Sequence, residues 1–195
     1  MPKSVEFFFD YASTFSYLAW AALPDFTQRT GARIVQRPML LGGLWKTVGN
    51  HSPTDVPAKR AWLLKDMELS SKKLGIPFRL NQKFPVNSLH LMRGAMVARE
   101  EGYLERYSEA VFNALWRDDQ DLGDPTAMGQ VLAAAGIDGA RLLARTGEPA
   151  IKDQLKASTD EAARRGAFGA PTFFVGDQMF WGHDRMAFVE DALAG

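Results

Sequence analysis

Apolar and polar positions change rhythm twice along this chain. Val-Glu-Phe-Phe-Phe at residues 5–9 is short and nearly all apolar, the pattern of a strand covered on both faces. After Tyr11, Ala12 and Ser13 the spacing turns helical, with Tyr17, Leu18, Ala21, Ala22 and Phe26 on related turns of a helix over 15–26. A second strand is predicted at 32–36, after the Thr30-Gly31 turn and before Pro38. Gly42-Gly43, Gly49-Asn50, Pro53 and Pro57 then predict a loop-rich stretch. Helical spacing follows for about a hundred residues, with helices near 58–74, 88–100, 103–116, 126–135, 139–145 and 149–165. Asp124-Pro125 reads as an N-cap with proline at the first helical position, and Gly75, Gly102, Gly136 and Gly147 as helix ends. Strand spacing returns at 172–175 and 178–181 around the hairpin signal Gly176-Asp177. Gly182-His183-Asp184 leads into a last helix, with Asp184 expected as its cap.

The order β-α-β, helical block, β-β-α leaves two sheet-forming parts, each too small to stand alone. They are expected to pair across the block. The fold class is therefore α/β: a discontinuous domain of residues 1–40 and 168–195, with a mainly helical domain, 41–167, inserted. A strand between 58 and 160 would contradict this.

Composition narrows the chemistry. Of the 195 residues, 46% are hydrophobic and 24% charged, as in an ordinary globular protein. Lys+Arg and Asp+Glu are both 23, so no net field favours nucleic acid. No apolar run is long enough for a membrane helix, and the apolar run near the N-terminus carries Glu6 and ends at Asp10, unlike a signal-peptide core. The cytosol is the default expectation. There is no cysteine, which excludes disulfides, thiolate metal sites and a cysteine nucleophile. Any thiol chemistry must come from a cofactor. The three histidines, His51, His90 and His183, have no metal-site spacing, so no metal is expected.

Three places could hold chemistry. Ser13-Thr14-Phe15-Ser16 sits where the first strand meets the first helix. Ser13 is either a plain N-cap or a hydroxyl at a helix N-terminus, where free amides and the dipole favour an anion. Gly169-Ala170-Pro171-Thr172 enters the third strand. Its Pro171 either punctuates a loop in trans or forms a cis bond that leaves the Ala170 backbone open to an extended ligand. Gly182-His183-Asp184 opens the last helix, where free amides could take a carboxylate and Asp184 an ammonium. Lys46 and Asn50 lie in the Gly/Pro-rich stretch, where a lone lysine is usually solvated surface.

Taken together, these elements resemble the thioredoxin-like fold of the DsbA type, whose first helix opens with Cys-X-X-Cys opposite a cis-proline loop. Here Ser13-Thr14-Phe15-Ser16 stands in that place, so disulfide exchange is excluded. Serine there is similar to the kappa-class glutathione transferases and the 2-hydroxychromene-2-carboxylate isomerases. The opening Phe9-Asp10-Tyr11-Ala12-Ser13-Thr14-Phe15-Ser16-Tyr17-Leu18 resembles the family's own, with Thr14 where proline is usual. Arg37-Pro38-Met39-Leu40-Leu41-Gly42-Gly43-Leu44-Trp45-Lys46, Trp116-Arg117-Asp118-Asp119-Gln120-Asp121, Gly166-Ala167-Phe168-Gly169-Ala170-Pro171-Thr172 and Trp181-Gly182-His183-Asp184-Arg185-Met186 extend the resemblance nearly end to end.

The resemblance implies a thioredoxin-like domain carrying a helical insertion, a cis Ala170–Pro171 bond and a glutathione site. Ser13 would hydrogen-bond the glutathione sulfur, with Thr14 and Phe15 beside it. Ala170 would pair with the cysteinyl backbone, and Trp181, Gly182, His183 and Asp184 would hold the γ-glutamyl end. Asn50 would reach the tripeptide, Lys46 would meet a substrate carboxylate, and Asn87 would line the same cavity. The implied activity is glutathione-dependent isomerisation of a small aromatic carboxylate in aromatic-compound degradation, by a cytosolic homodimer. The alternatives are a transferase that conjugates small electrophiles and a non-catalytic carrier.

Overall fold

The computed structural model describes residues 3–195. Its sheet has four strands: β1 (Ser4–Phe9), β2 (Arg33–Pro38), β3 (Thr172–Val175) and β4 (Gln178–Trp181). Their order is β2-β1-β3-β4. β1 and β2 run parallel, with Phe7 opposite Gln36. β3 runs antiparallel to β1, with Phe7 opposite Phe173, so the two ends of the chain pair in one sheet. β4 returns beside β3 through the Gly176-Asp177 turn, with Phe173 opposite Phe180.

Period-two alternation explains how β1 can be nearly all apolar. Val5, Phe7 and Phe9 join one cluster, and Phe8 joins another on the opposite face. Phe7 stacks between Phe9 and Phe173, with centroids at 5.1 and 5.2 Å. Phe8 meets Phe174 edge-on and packs with Met39, Leu44 and Ala162. Glu6, the charge inside this strand, is bonded at 2.6 Å to both Arg37 and Arg165. Those guanidiniums cover the Phe8 and Phe174 rings, so the apolar face is closed by cations that also balance the carboxylate.

Nine helices surround the sheet among the described residues: α1 (Thr14–Thr30), α2 (Leu41–Val48), α3 (Pro57–Leu74), α4 (Leu89–Glu100), α5 (Leu104–Trp116), α6 (Pro125–Ala134), α7 (Gly139–Thr146), α8 (Pro149–Arg164) and α9 (Met186–Ala194). All the strands among them lie before residue 39 or after residue 171. The larger cluster joins β1 to α1, α4 and α5 through Phe9, Tyr17, Met92, Phe112 and Trp116. This is the α/β sheet with a helical insertion that the strand and helix order predicts, and the DsbA-like thioredoxin architecture that the resemblance implies.

The structure corrects three local expectations. Residues 41–48, expected as loop, form α2, because Leu41, Leu44 and Trp45 recur at helical spacing and bury one side. The first helix runs past Phe26 to Thr30 and ends at Gly31, whose φ of 65° makes the left-handed cap. Asp184 does not cap the last helix. It lies in a single 3₁₀ turn, His183–Arg185, and faces Arg185 at 3.0 Å.

Close packing of α4 on α5 makes Gly94 a test of the core. A Cβ there would stand 2.8 Å from Tyr107 Cζ. The Tyr107 ring is fully buried, and its hydroxyl donates to the Leu91 carbonyl at 3.0 Å. Gly94→Ala gains about 1 kcal/mol of helix propensity. Overpacking of roughly 1–3 kcal/mol works against that gain. A net loss is expected, seen as a lower urea midpoint.

Candidate functional site

β1 ends at Phe9, and the chain turns through Asp10, Tyr11 and Ala12 before α1 begins. Ser13 caps the helix, in extended geometry at φ −87°, ψ 111°. Its Oγ accepts from the Ser16 amide at 3.1 Å and donates to the Ala170 carbonyl at 3.0 Å. The cap reading is therefore correct, and the same hydroxyl also meets the second candidate segment. The Ala170–Pro171 bond is cis, as expected. A second cis bond, Phe84–Pro85, carried no sequence signal beyond the proline. Among the described residues the Thr14 and Phe15 amides have no hydrogen-bond acceptor, as first-turn amides usually do not.

Ser13, Thr14, Phe15 and Ala170 line a cavity of about 1110 Å³ between the sheet end, α2, α3 and residues 84–89. Ligand sites typically occupy roughly 300–1,000 Å³, so this one has room for a tripeptide and a second molecule. Asn50, Asn87 and Trp181 also line it. Asn50 Nδ2 donates to the Phe168 carbonyl at 2.9 Å, which ties the loop after α2 to the strand entry. Phe168 and Trp181 pack at 4.7 Å and form an aromatic rim, with Trp181 48% exposed.

Four sequence candidates lie off the lining. Gly182, His183 and Asp184 follow Trp181 but do not reach the cavity wall. His183 meets the site through Phe15, stacked 4.9 Å away with planes 8° apart. Lys46 is exposed and is not on the wall. Leu41, Leu44 and Trp45 take the inward side of α2, and position 46 lies about 100° round the helix from Trp45. Lys46, which the resemblance sets against a substrate carboxylate, is therefore not among the residues of this wall.

Other residues on the wall went unread in the sequence. Lys59, Trp62, Leu63 and Asp66 follow i, i+3, i+4, i+7 spacing on α3, so all four face the cavity. That spacing was visible, but its mix of charge and aromatic residues does not look like a core stripe. Among the described residues that line the cavity, Lys59 is the one lysine or arginine. Asp10 is fully buried at the base of the site.

Burial pushes the Asp10 carboxyl above its usual range, with the Ser88 side chain and the Leu41 and Ala12 amides pulling it back. Burial also holds His183 below the ordinary imidazole value, opposed by Asp184 and Asp66. Unfolded, His183 would take a proton near pH 6.5. The folded chain takes it only at lower pH, so this group's stability contribution is full above that value and is lost as pH falls. His183→Gln is expected to flatten the fall in urea midpoint between about pH 7.5 and 5.5.

Comparison with known proteins places this geometry. The DSBA-like thioredoxin domain family matches residues 4–194. The 2-hydroxychromene-2-carboxylate isomerase of Sphingobium xenophagum is 32% identical over 195 residues, covering 99% of each chain. Glutathione S-transferase kappa 1 of Homo sapiens is 30% identical over 207 residues, covering 99% of this chain and 92% of its own. A solved 2-hydroxychromene-2-carboxylate isomerase superposes with a TM-score of 0.88 at 29% identity, over 98% of this chain and 94% of that one.

Proposed function

We propose, from the premise that this chain belongs to the DSBA-like thioredoxin domain family alongside those isomerases and kappa-class transferases, that it is a glutathione-dependent isomerase of the 2-hydroxychromene-2-carboxylate type. The observation that carries the reading is the Ser13 hydroxyl at the N-terminus of α1, 3.0 Å from the Ala170 carbonyl, on the wall of a cavity with room for two ligands.

The residues present suit glutathione. The α1 amides and dipole favour an anion, and a helix N-terminus lowers a thiol pKa from its usual value near 8.5. The Ser13 hydroxyl has one proton, so donating it to sulfur means turning it from the Ala170 carbonyl. That carbonyl can then accept from a peptide N–H. Ser13 and the first α1 amides would hold glutathione, which would supply the thiolate nucleophile for a reversible addition to the conjugated system of the opened chromene. The chain's own part is to hold the sulfur anionic, exclude water and anchor the substrate while one end swings.

Lys59 is the cation we assign to a carboxylate in this cavity, in place of Lys46. Lys59→Ala is expected to slow turnover of a chromene carboxylate about 10-fold, the scale of one charge-assisted hydrogen bond. Lys46→Ala should change it far less. The same reading carries a cytosolic homodimer acting in aromatic-compound degradation. A transferase is the second reading, favoured by the apolar wall of Trp45, Trp62, Leu63, Phe84 and Val86, which suits an uncharged electrophile.

Calorimetry with glutathione, followed by turnover of 2-hydroxychromene-2-carboxylate, separates these readings. The isomerase forms trans-o-hydroxybenzylidenepyruvate while the glutathione concentration stays constant. Stoichiometric loss of glutathione without isomerised product assigns a transferase. No glutathione binding overturns both and leaves a carrier.

A further inference from the structure

The mechanism leaves the buried carboxyl of Asp10 unused. Asp10 is fully buried yet lies on the cavity wall. Its Oδ1 accepts from the Ala12 amide and its Oδ2 from the Leu41 amide, each at 2.8 Å. Its main-chain carbonyl accepts from the Ser13 amide at 3.0 Å. Residue 10 therefore grips the turn that carries Ser13 with one hand and the first residue of α2 with the other. Burying a carboxylate is costly, and here it is the acceptor that the Ala12 and Leu41 amides would otherwise lack.

We propose that Asp10 is a positioning residue that sets the Ser13 hydroxyl and the first α1 amides for the glutathione sulfur and locks them to the α2 wall of the cavity. The proposal rests on the glutathione reading above. It differs from a charge effect in sign. A nearby negative charge disfavours a thiolate, so removing it by electrostatics alone would raise the thiolate fraction. Losing the positioning lowers that fraction.

The test compares wild type with Asp10→Asn, whose amide cannot accept from both backbone N–H groups. Three quantities are read: kcat, the ultraviolet thiolate absorbance of bound glutathione near neutral pH, and affinity for S-methylglutathione, which has no thiol to ionise. The expected result is a loss of about 10-fold or more in kcat and a clear fall in thiolate absorbance, with S-methylglutathione affinity within about threefold of wild type.

Leu41→Pro repeats the test from the other side with the carboxylate intact, and carries it if Asp10→Asn does not fold. Proline is tolerated at the first helical position, and Leu40 before it is already extended at φ −88°, ψ 108°. It should lower the thiolate fraction in the same direction. A folded variant with unchanged kcat and thiolate absorbance overturns the proposal. So does a rise in thiolate absorbance, or S-methylglutathione affinity that falls as far as kcat. Failure of the wild type to bind glutathione overturns the functional reading and this inference together, before any variant is compared.

Discussion

Ser13→Ala is expected to lower kcat by about 10²–10³-fold, the cost of removing one hydrogen-bond donor from a reacting anion. The stability loss should be small by comparison, about 1 kcal/mol for a lost helix cap. The structure makes both effects specific. The hydroxyl accepts from the Ser16 amide, so the variant leaves that donor without its cap. The hydroxyl also donates to the Ala170 carbonyl, so the link between α1 and the strand entry goes with it. Steady-state turnover with glutathione reads the first effect, and the urea midpoint reads the second. A variant that loses the midpoint but keeps full turnover would reduce Ser13 to a cap.

Trp116→Ala is expected to be the most damaging single change to stability. Truncating a buried Trp costs about 3–5 kcal/mol. Trp116 is fully buried at the end of α5, stacked at 6.3 Å on Phe78 and edge-on to Phe84. Its indole N–H donates to the Tyr11 carbonyl at 2.8 Å, inside the turn that leads to Ser13. Losing that donor strands a buried acceptor at a further ~1–3 kcal/mol. A domain has only about 5–15 kcal/mol in all, so the variant should be largely unfolded or near it. Trp116→Phe keeps most of the ring and isolates the hydrogen bond, with an expected loss nearer ~1–3 kcal/mol. Urea midpoints at unchanged m-value separate the two. Turnover in Trp116→Phe reports how far the Tyr11 carbonyl helps fix the Ser13 turn.

What the amino-acid order determined by itself was the succession of elements, because their signals are local. Alternation in Val5–Phe9 distributes Phe7 and Phe8 to opposite faces whatever packs there. Gly176-Asp177 closes β3 on β4, and Asp124 with Pro125 starts α6 where a cap and a first-turn proline belong. The Ser13 cap is also a local fact, since its partner Ser16 is three residues on. Even α2 was written locally, in Leu41, Leu44 and Trp45, but its paired glycines and short length hid it. The family resemblance added that the Ala170-Pro171 loop faces the start of α1, which no periodicity could supply, since 157 residues separate Ser13 from Ala170.

Tertiary structure alone decided which side chains face the cavity. The sequence offered Lys46 as the cation and gave no sign of Lys59. Only the rotation of α2 against the smaller core turns Lys46 away, and only the seating of α3 turns Lys59 inward. Asp10 looked like a strand terminator. Its burial and its hold on Leu41 exist because α2 folds back over the end of β1, 31 residues along the chain. Local spacing reports which face of a helix is apolar, but not which neighbour that face meets. A site assembled from several separated segments is fixed by the packing of the whole core, and that sum is not legible in any one of them.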